Sequence, residues 1–261
     1  MLQVQKVKRI KLYTFHNDDF KKLKERFLST LKDDYEVICK QQDLRVGDKV
    51  WCGGETVWLF KTRLIIDAIK ANWDDVIIIS DIDIQFFKPT KEIVFRAIAA
   101  RDIVFQRNAP LGHVKINIGF MAIRCNERCL TMFEWVFAKI METKKHDQKL
   151  VEVYLENHPG RINYALFPKK IFAYNPIAIH HGLTHGIALH HAIWVRSGSE
   201  KLSQMERIRL LAEKPWFLFY VWKIKRIPES IIREMIYFAK RFLKSKEADL
   251  MGFQTPLKCP K

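Results

Sequence analysis

Asp75-Val-Ile-Ile-Ile-Ser-Asp81-Ile-Asp83-Ile-Gln-Phe-Phe-Lys-Pro89 is the stretch that decides how this 261-residue chain folds. Its apolar run at 76–79 is short, continuous and entirely β-branched, as in a strand buried on both faces of a mostly parallel sheet. Side chains two apart in an extended segment point the same way. The spacing therefore predicts that Asp81 and Asp83 face together while Ile82 turns into the core. Open α/β sheets bind their ligands just beyond the carboxyl ends of the strands. Two carboxylates placed there offer the hard oxygens that Mg²⁺ or Mn²⁺ prefers, with coordination positions left for substrate phosphates.

The flanking sequence alternates strands and helices. Arg9–Phe15 alternates and meets His16-Asn17-Asp18-Asp19, which reads as a turn and helix cap. Phe20–Leu31 has helical periodicity, Tyr35–Cys39 reads as a strand, and the polar residues 41–58 with their glycines read as a loop. Val57–Ala71 is periodic enough for a helix leading into the Asp-rich strand. Downstream, helices are expected over Lys91–Ala100, Arg128–Glu142 and Asp147–Asn157, and strands over Ile103–Gln106 and Ile116–Ile123. This order predicts an α/β, doubly wound, mostly parallel sheet flanked by helices. The expected division is a domain over 1–205 and a basic helical C-terminal extension over 206–261.

Charge is lopsided, with 45 Lys and Arg against 29 Asp and Glu, a net +16. From Lys201 onward, fourteen basic residues face six acidic ones, so half of the excess lies in under a quarter of the chain. Such a balance suits an anionic partner: phosphorylated substrates, an anionic membrane face or nucleic acid. No basic residues interleave in an RNA-binding pattern, and no helix-turn-helix or zinc module is evident, which argues against nucleic acid. Trp216–Trp222 and the apolar spacing of Ile231–Leu243 give the tail an amphipathic, aromatic character. It suits either packing on the main domain or docking in a membrane interface.

Five cysteines, an odd number, show no metal-type pairing, and Cys125 and Cys129 lack further soft ligands for zinc. Reduced thiols of a cytoplasmic protein are expected. No secretory apolar core is seen at the N-terminus, and no apolar run approaches the ~18–20 residues of a membrane span. A soluble or peripheral protein is expected.

Taken together, Leu64-Ile-Ile-Asp-Ala-Ile69, the Asp75–Pro89 stretch, Asn117-Ile-Gly-Phe-Met121 and His146-Asp147-Gln148 resemble a known family. They look like the DxD-containing nucleotide-diphospho-sugar glycosyltransferases of the GT-A fold, among them plant xylosyl- and arabinosyltransferases and bacterial and viral relatives. The resemblance runs in order over residues 8 to 201. It implies that Asp83 ligates a divalent ion against the donor's diphosphate while Asp81 reaches metal or ribose. His191 opens His-Ala-Ile-Trp-Val-Arg-Ser-Gly-Ser-Glu-Lys201, similar to a family segment that closes over the diphosphate with its histidine on the metal and its lysine beside it. Here Ile193 stands where Asn is usual and Ser197 where Gly is usual. The choice of His191 over His190 rests on that motif.

The resemblance further implies a nucleotide or phosphate contact for Lys61, to which a helix N-terminus would add; a solvated basic face is the other reading. Thr14 and Phe15, ending the first strand, are placed for base and ribose. Gly119 would let backbone approach the sugar, with Asn117 nearby. Asp147 and Gln148 would lie beside the sugar, with Asp147 as transition-state stabiliser or general base; a plain helix cap is the alternative. The implied cofactor is Mn²⁺ or Mg²⁺, the donor a nucleoside-diphosphate sugar (UDP favoured), and the acceptor a glycan or lipid-linked hydroxyl. A catalytically degenerate domain that binds nucleotide or nucleic acid is the alternative.

Overall fold

The computed structural model of the chain describes residues 9–43, 45–46, 49–50, 54–108, 116–168, 170–173, 186–193, 195 and 197–213. The aromatic tail and the rest of 214–261 lie outside them, as do Cys52, Trp194, Arg196 and Cys259.

The first βα unit forms as its alternation predicts: β1 is Lys11–His16, α1 is Lys21–Thr30 after a 3₁₀ turn at Asp18–Phe20, and β2 is Glu36–Gln41. Part of the expected loop at 41–58 instead pairs as two short antiparallel strands, β3 Arg45–Val46 and β4 Lys49–Val50. Gly54, with φ of 125°, then turns the chain into α2, Glu55–Ala71. β5 is Val76–Ser80 and β6 is Ile84–Phe86, followed by α3 Lys91–Ile98, β7 Ile103–Arg107 and β8 Ile116–Arg124. α4 is Glu127–Thr143 and α5 is Asp147–Asn157. The short strands β9 Tyr164–Leu166, β10 Ile171–Ala173 and β11 Leu189–His191 precede α6, Gly198–Glu213. α6 runs unbroken across the expected boundary at 205/206.

Nine strands share one sheet in the order β2-β1-β5-β8-β7-β10-β11-β6, with β9 also on β7. Most neighbours are parallel; β8 runs antiparallel between β5 and β7, and β6 runs antiparallel to β11. The fold is the expected α/β sheet with helices on both faces.

Period-2 geometry explains the layers. Ile77 and Ile79 join Tyr13 in a core with Leu64, Ile65, Phe133 and Val151 of α2, α4 and α5. Ile78 and Leu12 face the other way, onto Leu23, Phe27, Val94 and Met205 of α1, α3 and α6. Burial on both faces is what the unbroken apolar run requires.

Cys125 and Cys129 are buried free thiols, with Cys125 pushed up to about 12 by burial. Such thiols are inert packing groups. No described helix is long and apolar enough to cross a membrane.

Candidate active site

Parallel pairing of β1 with β5 sets their carboxyl ends side by side. Beyond β5 the chain turns through Asp81, Ile82 and Asp83 into β6, rather than staying extended as the spacing predicts. The reason is β6 itself, which leaves the β5 ladder to pair with β11 in the register His191↔Ile84. Ile82 is buried as expected, and the two aspartates still converge because the backbone holds the turn. Asp81 N–H donates to Gly119 O at 2.7 Å, and Ala192 N–H donates to Asp83 O at 2.9 Å.

That pairing delivers His191 to the carboxylates. Its Nε2 lies 3.2 Å from Asp83 Oδ1 and 3.6 Å from Asp81 Oδ2. One ligand atom from each of Asp81, Asp83 and His191 lies within 4.8 Å of the other two. Two carboxylates and an imidazole fit a hard-to-borderline divalent cation.

Two ammonium groups share this cluster. Lys61 Nζ donates to Asp81 Oδ1 at 2.6 Å, and Lys201 Nζ donates to Asp83 Oδ2 and, at 3.0 Å, to Ala192 O. Burial works against the Asp83 charge, but Lys201 and His191 outweigh it and hold the carboxyl well below the usual carboxylate range. Burial likewise works against the Lys61 charge, and Asp81, Asp147 and Asp83 overcome it and raise its pKa. Lys61 sits in the second turn of α2, not at its start, so the helix N-terminus adds little there and the ammonium is the attractive group. Its burial also sets aside the solvated-face reading, whereas Arg63 is exposed and lies 4.5 Å over the Phe137 ring.

Ser197 has a local job where the resemblance led us to expect Gly. Its hydroxyl accepts from Glu200 N–H at 3.2 Å while Glu200 Oε2 accepts from Ser197 N–H at 3.0 Å. This reciprocal capping box starts α6 and fixes Lys201 in its first turn.

Gly119 also has a packing role: a Cβ there would lie 2.1 Å from His191 Cε1, so the missing side chain makes room for the imidazole. A register shift after Phe105 bulges β8 at this point, and Asn117 Oδ1 braces the bulge by accepting from Gly119 N–H at 2.8 Å.

Asp147 opens α5 fully buried; burial pushes its carboxyl up, partly offset by Lys61 and His146. Its Oδ1 accepts from Gln148 N–H at 2.8 Å. The three would-be ligands, both lysines, Asn117, Gly119, Asp147 and Gln148 line one cavity of about 270 Å³, together with Phe15, His16, Asn17, Trp58 and Ile193. Of the residues expected from sequence, Thr14 alone is absent from the lining; its side chain is buried in the sheet.

No family model and no curated protein matches the sequence. Solved structures do match. One is a glycosyltransferase involved in the glycosylation of the major capsid of PBCV-1, with TM-score 0.55 and 16% identity over 77% of this chain and all of that one. Another is the apo-form glycosyltransferase GlyE of Streptococcus pneumoniae, with TM-score 0.52 and 10% identity over 84% of this chain and 64% of that one. The chain has the GT-A glycosyltransferase fold.

His16, Asn17 and Trp58, which line the cavity of this GT-A domain, escaped the sequence reading. Asn17 looks like a helix cap, yet its side chain makes no capping bond, and its Oδ1 has no partner among the described residues. His16 Nδ1–H donates to Asn17 O at 2.9 Å, leaving Nε2 as an acceptor, also without a partner among the described residues. Trp58 packs on His146 with ring centroids 4.9 Å apart. The signal for His16 and Asn17 was their position at the end of the first strand; for Trp58 it was the helical spacing to Lys61.

Proposed function

We propose that this protein is a divalent-metal-dependent glycosyltransferase, moving a sugar from a nucleoside diphosphate to a hydroxyl of a glycan or lipid-linked acceptor. The convergence of Asp81, Asp83 and His191 in the cavity of a GT-A fold carries this reading. These three residues would hold Mn²⁺ in preference to Mg²⁺ because of the imidazole. The ion would supply Lewis-acid neutralisation of the departing diphosphate.

The chain's own groups divide the remaining work. Lys61 and Lys201 give charge-assisted hydrogen bonds to diphosphate oxygens once the carboxylates turn to a cation. His16 Nε2 and Asn17 Oδ1 are acceptors, which suits the imide N–H of uracil or ribose hydroxyls and favours UDP. Phe15 supplies the apolar wall beside them. Asp147, Gln148 and Asn117 face the transferred sugar. We adopt retention from the resemblance, with the Asp147 carboxylate stabilising positive charge at the anomeric carbon.

Assay of free sugar released in Mn²⁺ from a panel of UDP-linked hexoses and pentoses tests the reading. Release by the wild type, lost in Asp147→Asn by about 10²–10⁴-fold, is expected. A second reading, a degenerate nucleotide-binding domain, is favoured by the pairing of both aspartates with lysines and by Ile193 in the cavity wall. Nucleotide binding with no release from any donor would select it.

The basic tail extends the proposal to location: a cytoplasmic enzyme docked peripherally on an anionic membrane that carries its acceptor. Flotation with anionic liposomes should recover the full chain and lose one ending at residue 214. Equal recovery of both sinks the docking idea.

A further inference from the structure

We infer that Gln106 is the positioning residue that makes His191 a metal ligand, and so sets the preference of the site for Mn²⁺ over Mg²⁺. The inference rests on the metal reading above. Gln106 is the first residue of β7 after its pairing with β8 shifts register, opposite Asn117. Its side chain is fully buried, and its Oε1 lies 2.9 Å from His191 Nδ1.

A neutral imidazole carries one proton, on one nitrogen or the other. An amide oxygen can only accept, so Gln106 Oε1 draws the proton to Nδ1. With a cation between the carboxylates and the imidazole neutral, Nε2, which faces Asp81 and Asp83, would be left to offer its lone pair to the ion. Metal-binding histidines are commonly held this way by an acceptor behind the ring, and loss of that acceptor typically costs 10–100-fold in metal affinity. Gly119 completes the clamp, since a Cβ at that position would collide with the His191 ring from the side.

The other half of the same amide argues that packing is not its purpose. Gln106 Nε2 is buried with no hydrogen-bond partner among the described residues. A buried donor without a partner destabilises a fold, and an apolar side chain of similar shape would not. Methionine would fill the same space without that penalty. Gln106 is thus unfavourable to stability on one side and useful on the other, where the imidazole is.

The test is Mn²⁺ and Mg²⁺ affinity, read by Mn²⁺ paramagnetic resonance and by Mg²⁺ competition, for wild type, Gln106→Met, Gln106→Glu and His191→Ala. Gln106→Met exchanges the orphaned Nε2 for an orphaned His191 Nδ1–H, so it should stay folded yet bind Mn²⁺ about 10–100-fold more weakly, with a much smaller loss for Mg²⁺. Gln106→Glu keeps an acceptor behind Nδ1 and should retain the Mn²⁺ preference. Unchanged Mn²⁺ affinity in Gln106→Met, with a loss in His191→Ala, overturns this inference alone. So does an equal loss of both metals in Gln106→Met, which would mark a structural role. Unchanged Mn²⁺ affinity in His191→Ala removes His191 as a ligand, and with it this inference, whereas no Mn²⁺ binding by the folded wild type overturns the metal reading itself.

Discussion

Lys201→Met costs the folded chain about 3–5 kcal/mol, and Mn²⁺ returns a large part of it. The magnitude is that of stripping one partner from a buried ion pair. Asp83 and Lys201 are both buried, and the Asp83 carboxylate is held ionised chiefly against the Lys201 ammonium. Without that ammonium, an acceptor-only group is left in a poorly solvated turn with His191 beside it. Such a loss is a large fraction of the roughly 5–15 kcal/mol by which a domain is stable. A divalent cation replaces the missing charge, and a ligand bound only by the native state at a hundredfold excess over Kd adds about 2.7 kcal/mol.

The pH dependence has a definite sign. A carboxyl held below its ordinary value contributes stability above its unfolded pKa of about 3.9, lost as pH falls toward the folded value. Urea titrations of wild type should therefore weaken on acidification below about pH 4, and those of Lys201→Met should show less of this decline. A variant as stable as wild type without metal would mean that the pair contributes nothing and that Asp83 is better solvated than its surroundings indicate.

Some of this site was legible because the physics behind it is local. Val76–Ile79 had to be a doubly buried strand, and a ligand end had to follow it. The resemblance brought in His191 and Lys201 from more than a hundred residues away, and the fold places both against Asp83. The parts that escaped depend on long-range pairing. β6 and β11 are three residues each, too short to show alternation, yet their register alone brings His191 to the carboxylates. The turn that carries Asp81 and Asp83 follows from that pairing, so the extended geometry expected from spacing gave the right neighbours by a different route. Gly119 was legible as a close approach, and one group that approaches it is an imidazole from β11, several strands away in the sheet. Asn17 was read by habit of residue type as a cap; only the surrounding cavity shows its oxygen without one.

The measurement that bears most directly on the central claim is calorimetric titration of a nucleoside-diphosphate panel, with and without Mn²⁺, into wild type and Asp83→Ala, each shown to be folded by circular dichroism. The Asp83 carboxylate contacts both His191 and Lys201 and is one of the three residues that would hold the metal, so its loss reaches most of the proposed site. The account predicts tight binding of one nucleotide, UDP above the others, that needs Mn²⁺. Asp83→Ala should lose at least about 100-fold in that affinity, or about 2.7 kcal/mol, because the charge bridging protein and diphosphate is gone. Binding of no nucleotide in Mn²⁺ by the folded wild type, or equal binding by Asp83→Ala, would contradict it.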